Sequence, residues 1–305
     1  MQVILGAGGD ISTLLAKELN SYTSQIKLVA RHPKPVNPGD ECFPADLLDA
    51  KQVDRAVSGA EVAYLTVGLK YDSRIWERQW PLIMQNVIDA CRKHGCRLVF
   101  FDNVYLYNPE AVSNMTEESA TNPISRKGRV RLQVLELLQQ AMEQQGLQAL
   151  VARSADFYGP DSKNGILNTL VLNSVSQRKK PSWLADAHKI HSFTYTPDAA
   201  KATALLGNTD SAYQQVWHLP TSGERLTGKA FVELAASIAG TKASYTVLTP
   251  FLLSLGGLFN RTIKEVIEMN YQYDRDYFFD SSKFCDAFGF VPTSYETGIR
   301  EVLGR

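Results

Sequence analysis

Four cations, Arg126, Lys127, Arg129 and Arg131, stand within six positions of the stretch SRKGRVRLQVLE, which opens a long apolar-periodic run. With the helix at about 100° per residue and Lys127 at the origin, Val130, Val134, Leu137, Leu138 and Ala141 fall within roughly 80° of it. Arg131 lies one turn along on that face, Arg129 points away near Glu136, and Arg126 sits at the boundary. A cation on an apolar face is costly unless it meets an anion or hydroxyls. Lys127 and Arg131 are therefore expected to be paired or used, while Arg126 and Arg129 read as solvated.

Burial and a neighbouring like charge both favour the neutral amine that general-base work needs, so Lys127 is expected to accept a proton or to orient a substrate hydroxyl. The fixed fork of donors on Arg131 suits a ribose or a phosphate. Other candidates follow apolar strands: Asp102 and Asn103, then Tyr105 and Tyr107, and Asp156 in SADFYGP. A carboxylate among them could instead pair with Lys127 or Arg131, making the cluster structural, since ion-pair networks also gather ionisable groups without doing chemistry. His188 and His191, with Asp186 before them, have a spacing that suits a metal, but a loop with no further ligand argues for none.

The elements that must position these residues alternate. Short apolar runs at 2–5, 26–30, 61–67, 97–101 and 148–153 are separated by helical patterns at about 10–20, 50–58, 75–94 and 124–145. Wholly apolar strands separated by helices predict a parallel sheet covered on both faces, a Rossmann-type doubly wound α/β domain whose ligands lie beyond the carboxyl ends of the strands. After Pro160 a helical stretch near 164–178, strands at 192–196 and 214–219 and a helix from Pro197 follow. The tail is mainly helical. The expected organisation is a dinucleotide-binding domain over 1–160, completed by about 190–219, with 161–189 and 220–305 forming a smaller C-terminal substrate lobe.

GAGGDIS, residues 6–12, follows the first strand and opens a helix. Glycines there let the backbone approach a pyrophosphate while the helix supplies free N–H groups and the positive end of its dipole. Gly6, Gly8, Gly9, Asp10 and Ile11 are the expected contacts, with Ser12 at the place of a third glycine. At the end of the second strand, where an acid would bond a ribose hydroxyl, VARHPK offers Arg31, with His32 and Lys34 nearby. A 2'-phosphate fits that basic turn better, which favours NADP over NAD; a solvated turn is the alternative. In FPADLLD, Asp46 could bond the adenine amino group with Leu47 against the ring, or cap the helix that follows.

Composition removes other classes. Lys plus Arg and Asp plus Glu are each 32, so no net field holds a polyanion, and the cations RKK at 178–180 only weakly suggest RNA. Cys42, Cys91, Cys96 and Cys285 form no CxxC pair and read as structural thiols of a reducing compartment. MQVILGAGGD enters a strand directly, without a leader pattern, and a cytoplasmic location is expected. The apolar run 246–259, broken by Pro250, Gly256 and Gly257, falls short of the roughly 20 residues of a membrane span and is expected to form a buried or capping helix.

In order, GAGGDIS, ADLLD, FFDNVYLYN, ARSADFYGP, HSFTYTPDAAKA, WHLPTSGERLT and FGFVPTSYETGI resemble the extended short-chain dehydrogenases/reductases of the NAD-dependent epimerase/dehydratase group over nearly the whole chain. That resemblance implies an NAD(P)-dependent oxidoreductase or epimerase acting on a sugar-like or nucleotide-sugar hydroxyl or ketone. In that family a serine or threonine follows the apolar strand and a YxxxK pair lies on the next helix. The tyrosinate takes a proton, the nicotinamide takes a hydride, and the lysine tunes the tyrosine and holds the ribose. Matching the motifs puts Asn103 on the serine, Lys127 on the tyrosine and Arg131 on the lysine, so all three have changed. Val67 and Gly68 are expected at the cofactor, and Asp102, Tyr105, Tyr107 and Asp156, which follow the apolar strands, at the substrate; the resemblance adds His191, standing where an arginine often meets a substrate phosphate. It also implies a homodimer through the helices at 75–94 and 124–145. The lost triad leaves a rival: a dinucleotide-binding sensor without turnover.

Overall fold

The computed structural model describes residues 1–160, 162, 163, 165–249, 251–253 and 261–304. In chain order its first half reads β1 (Gln2–Leu5), α1 (Asp10–Leu19), β2 (Ile26–Ala30), β3 (Glu41–Pro44), α2 (Ala50–Val57), β4 (Val62–Leu65), α3 (Ser73–His94), β5 (Arg97–Asn103), α4 (Arg126–Gln145) and β6 (Ala149–Ser154). The second half reads β7 (Asp156–Tyr158), a π-helical turn at Asn168–Leu172 running into α5 (Asn173–Ser176), β8 (Ser182–Leu184), β9 (Phe193–Tyr195), α6 (Thr196–Gly207), β10 (Val216–His218), α7 (Gly228–Ala239), β11 (Thr246–Leu248), α8 (Arg261–Ile267), α9 (Ser282–Phe288) and α10 (Tyr295–Leu303).

Among the described residues, seven strands form one sheet in the order β10-β6-β5-β4-β1-β2-β3. β1 runs parallel to β2, with Gln2 opposite Ile26, and parallel to β4, with Gln2 opposite Val62. Every residue of β1, β4 and β6 is buried. Such strands need helices on both faces to stay dry, and the crossovers α1, α2, α3 and α4 supply them. Side-chain caps start two of these helices: Asp49 accepts from Lys51 and Gln52 N–H at α2, and Asp72 accepts from Arg74 N–H at α3.

Two parts of the sequence reading change. Glu41–Pro44 is an edge strand, paired to β2 with Cys42 opposite Leu28; its mostly exposed ECFP lacks the apolar run that marks the interior strands. In the run 246–259, Thr246–Leu248 is a strand parallel to β8 rather than part of a buried helix, because Val247 and Leu248 pair with Trp183 and Leu184. Residues 250 and 254–259 of that run, and 164 at the start of the stretch 164–178, lie outside the described residues.

The chain divides into two compact units. The first comprises Met1–Leu106, Lys127–Arg153 and Ala199–Trp217; the second comprises Tyr107–Arg126, Ser154–Asp198 and His218–Arg305. The second unit has its own aromatic core, in which Trp183 stacks on Phe231 at 6.2 Å and both meet Phe193 edge-on. No helix among the described residues is long and apolar enough to cross a membrane.

Candidate cofactor and active site

The glycine turn is built on one close approach. Gly6 has φ +106°, and a Cβ there would lie 2.3 Å from Val67 Cα, so no other residue fits. Its N–H and that of Ala7 both donate to Val29 O, each at 2.9 Å, which ties the turn to β2. Gly8 is exposed at φ +98°, with open space where a Cβ would stand. Ser12, buried beneath the turn, explains why the third glycine is dispensable: its Oγ accepts from Gly9 N–H and donates to Gly9 O, both at 2.9 Å. Ile11 packs inward, and Asp10 sets a carboxylate in the first turn of α1, against the positive end of the helix dipole.

Arg31, His32 and Lys34 are exposed on the loop after β2. Asp40 fixes the end of that loop by accepting from Val36 and Asn37 N–H. Asp46 does not cap α2, since Asp49 does. Instead, Asp46 Oδ1 accepts from Leu48 N–H at 3.0 Å in a tight local turn, and buried Leu47 is anchored through its carbonyl by Asn86 Nδ2 at 2.9 Å. Val67 lies against Gly6, and Gly68 beside it is exposed.

On α4, Lys127 and Arg131 are 0% and 2% exposed, whereas Arg126 and Arg129 are exposed, the division that the helical periodicity predicts. Arg131 Nε donates to Asp102 Oδ1 at 2.8 Å, and a second, terminal nitrogen reaches the same oxygen. The other oxygen, Oδ2, accepts from Arg153 Nε at 3.2 Å and Nη2 at 3.1 Å. One carboxylate thus bridges two guanidiniums, all three side chains being almost wholly enclosed. The Arg131 guanidinium also lies 4.3 Å from the Trp80 ring centre and 4.7 Å from that of Phe100. Lys127 Nζ stands 4.3 Å above the Tyr71 ring, a face that attracts an ammonium.

Asn103, at the end of β5 and half-buried, accepts from Tyr105 N–H at 3.1 Å through Oδ1, so its amide N–H groups point away from that turn. Tyr105 stacks on Trp76. Tyr107 is enclosed in the second unit, its hydroxyl 2.6 Å from His218 Nε2. His218 Nδ1 lies 2.6 Å from Asp280 O, which can only accept, so Nδ1 carries a hydrogen. Asp156 and His191 meet in the same unit: His191 Nε2 lies 3.0 Å from Asp156 Oδ2, which also accepts from the Tyr273 hydroxyl. The imidazole is stacked between Tyr277 at 4.1 Å and Tyr273 at 4.5 Å. Asp186 turns to His188 N–H, and among the described residues no cluster of three His, Cys, Asp or Glu could hold a metal ion.

Sequence reasoning misses Arg153 and the aromatic wall of Tyr71, Trp76 and Trp80 around Lys127 and Arg131 in the first unit, and Tyr273 beside Asp156 in the second. An arginine inside the otherwise apolar ALVARS was the available sign for Arg153, and two tryptophans four apart on one helix face were the sign for the wall.

A family model described as the NAD dependent epimerase/dehydratase family matches residues 2–217. The uncharacterized UDP-glucose epimerase YtcB of Bacillus subtilis (strain 168) is 24% identical over 162 residues, 53% of this chain and 51% of that protein, so the match spans about half of the curated relative. Among solved structures, the UDP-glucose 4-epimerase of Thermus thermophilus in complex with NAD superposes with a TM-score of 0.77 at 19% identity, covering 100% of this chain and 98% of that one. DesIV, the dTDP-glucose 4,6-dehydratase of Streptomyces venezuelae, gives 0.80 at 15% identity, covering 100% and 96%. At these identities the structural likeness establishes the fold.

Proposed function

The chain belongs to the NAD-dependent epimerase/dehydratase family, and from that premise we propose that it is a dinucleotide-dependent enzyme acting on a hydroxyl or ketone of a nucleotide sugar through a site rebuilt on Asn103, Lys127 and Arg131. The observation that carries this reading is Lys127, a wholly enclosed amine on the face of α4 where the resembled family has its tyrosine, one turn ahead of Arg131. The relatives' described substrates, UDP-glucose and dTDP-glucose, support the substrate class.

The residues present fit a dinucleotide. An exposed glycine turn opens the 10-residue helix α1, and Gly6 allows a backbone approach that a Cβ would block. Gly8 and Gly9 would hold the pyrophosphate, Asp46 and Leu47 the adenine, and Arg31 a ribose phosphate, which makes NADP the better fit. Val67 and Gly68 border the same turn. A bound nicotinamide supplies the hydride acceptor. The protein's own part is to orient the substrate hydroxyl through the Asn103 amide, to hold or move its proton at Lys127 Nζ, and to keep the surrounding wall charged and dry through Arg131 and Asp102. A homodimer through α3 and α4 belongs to the same reading.

One observation favours a second reading, a dinucleotide-binding sensor without turnover: Arg131 already has Asp102 at its donors and two rings at its guanidinium. NADPH and NADH titrations of the purified chain, followed by incubation with UDP- and dTDP-sugars, separate the two. Turnover that falls about 10²- to 10⁴-fold in Lys127→Ala, with cofactor affinity kept, supports the enzyme. Tight binding with no turnover supports the sensor, and absence of binding to either dinucleotide removes both.

A further inference from the structure

The two buried cysteines of the first unit, far apart in role from the glycine turn, are brought together by the way α3 ends. Gly95 takes a left-handed conformation at φ +65°, and the chain folds back so that Cys96 N–H donates to Cys91 O at 2.8 Å. This is a Schellman ending, which sets the side chains three residues before the helix end and two after it against each other, usually as an apolar pair. Here both members are thiols. The backbone bond also limits their spacing: adding a Cα-to-O distance of about 2.4 Å and an N–Cα bond of about 1.5 Å to it leaves the two Cα atoms no more than about 6.7 Å apart, inside the range a disulfide spans.

Cys91 and Cys96 are 0% and 2% exposed. The Cys96 S–H donates to Arg97 O at 3.5 Å, and a hydrogen bond to Cys96, together with burial, pushes the Cys91 thiol well up. Both cysteines border a cavity of about 400 Å³, and of the two Cys96 keeps a trace of exposure toward solvent. Asp89, Arg92, Lys93 and Arg97 border it, Lys93 being paired with Asp54 and Arg97 with Asp210. The cavity lies where β5 and β6 begin, the opposite end of the strands from Gly6.

We propose that Cys91 and Cys96 form a redox couple that closes into an intrachain disulfide when a hydroperoxide enters this cavity. The Cys96 sulfur attacks one peroxide oxygen, the O–O bond breaks to leave a sulfenic acid, and the leaving oxygen takes the thiol proton and departs as one water when the oxidant is hydrogen peroxide, or as the alcohol of an organic hydroperoxide. The Cys91 sulfur then attacks the sulfenic sulfur, the S–O bond breaks, and the leaving hydroxide departs as water with the Cys91 proton. Both thiols are oxidised by two electrons in total and the peroxide is reduced. Cys91 serves as the resolving partner.

The test uses the full chain carrying Cys42→Ser and Cys285→Ser, so that only the pair remains. After treatment with hydrogen peroxide the protein is denatured, alkylated with iodoacetamide and weighed. The proposal expects both thiols to become unavailable together, a mass lower by two hydrogens, reversal by dithiothreitol, and no dimer on a non-reducing gel. Two alkylatable thiols after oxidation, or oxygen adducts on one cysteine with the other still free, overturns it. In the same background Cys91→Ser should stop the reaction at a Cys96 sulfenic acid that dimedone traps; if that variant does not fold, the mass of the parent variant decides alone.

Discussion

The two units bury polar groups by different means. In the first, charge is answered by charge and by ring faces: Asp102 sits between Arg131 and Arg153, and the cations Arg131 and Lys127 lie on Trp80, Phe100 and Tyr71. In the second, hydrogen bonds and stacking suffice: His191 rests between two tyrosines with Asp156 at its Nε2, and His218 links Tyr107 to a backbone carbonyl while stacked on Phe279. Enclosure differs too, for Asp102 has a side-chain exposure of 0% and Asp156 of 16%. A sealed ion network loses everything when one member goes. A hydrogen-bonded pair with water at one end can recover part of what it loses.

The largest effect should therefore come from Asp102→Asn. The amide can accept from one guanidinium but answers neither charge, so two buried cations are stranded, at a cost of about 3–5 kcal/mol. Urea unfolding of the variant checks this, and a loss under about 1 kcal/mol would mean that water enters the network and that the contrast between the units is false. A triple change of Asp102, Arg131 and Arg153 to apolar residues of similar volume should recover most of the stability, because the cost lies in the broken network and not in the absence of ions.

Next in size is His191→Phe. Phenylalanine keeps the stack on Tyr273 and Tyr277 but removes the bond to Asp156, whose carboxylate retains the Tyr273 hydroxyl and some contact with water. The expected loss is about 1 kcal/mol, by the same unfolding measurement. A loss as large as that of Asp102→Asn would show that the imidazole carries a charge that Asp156 needs, and the two units would then be alike.

How legible these arrangements are in the sequence follows the same physics. Strands β1, β2, β4, β5 and β6 stand out because burial on both faces demands unbroken apolar runs, and the inward turn of Lys127 and Arg131 follows from helical spacing alone. Glu41–Pro44 is illegible because an edge strand needs no such run, and Thr246–Leu248 because a three-residue strand exists only through its partner Ser182–Leu184. The pairing of Asp102 with Arg153 joins residues 51 apart, and the match of Asp156 with Tyr273 joins residues 117 apart; no local pattern encodes either. Cys91 and Cys96 are read as unrelated structural thiols until the left-handed Gly95 between them is seen to fold one onto the other.

The smallest of the three effects is the one that tests the hydrogen-bonded unit by titration. Glu117 is half-buried and accepts from His218 N–H at 2.9 Å, yet burial outweighs that bond and raises its carboxyl above the ordinary value of 4.5. Lys283 opposes the rise and Asp280 adds to it. Between the unfolded and the raised folded value the native state holds more protons than the unfolded chain, so the unfolding free energy falls as pH increases. The contribution is fully present below about pH 4.5 and is lost as pH passes through the folded value. Glu117→Gln keeps an acceptor for His218 N–H and removes the titration. The difference in unfolding free energy between wild type and variant should then drift in favour of the variant as pH rises from about 4.5 and level off above the folded value. A drift in the opposite sense would mean that Glu117 is stabilised as a carboxylate, and that the second unit, like the first, relies on an ion where hydrogen bonds were taken to be enough.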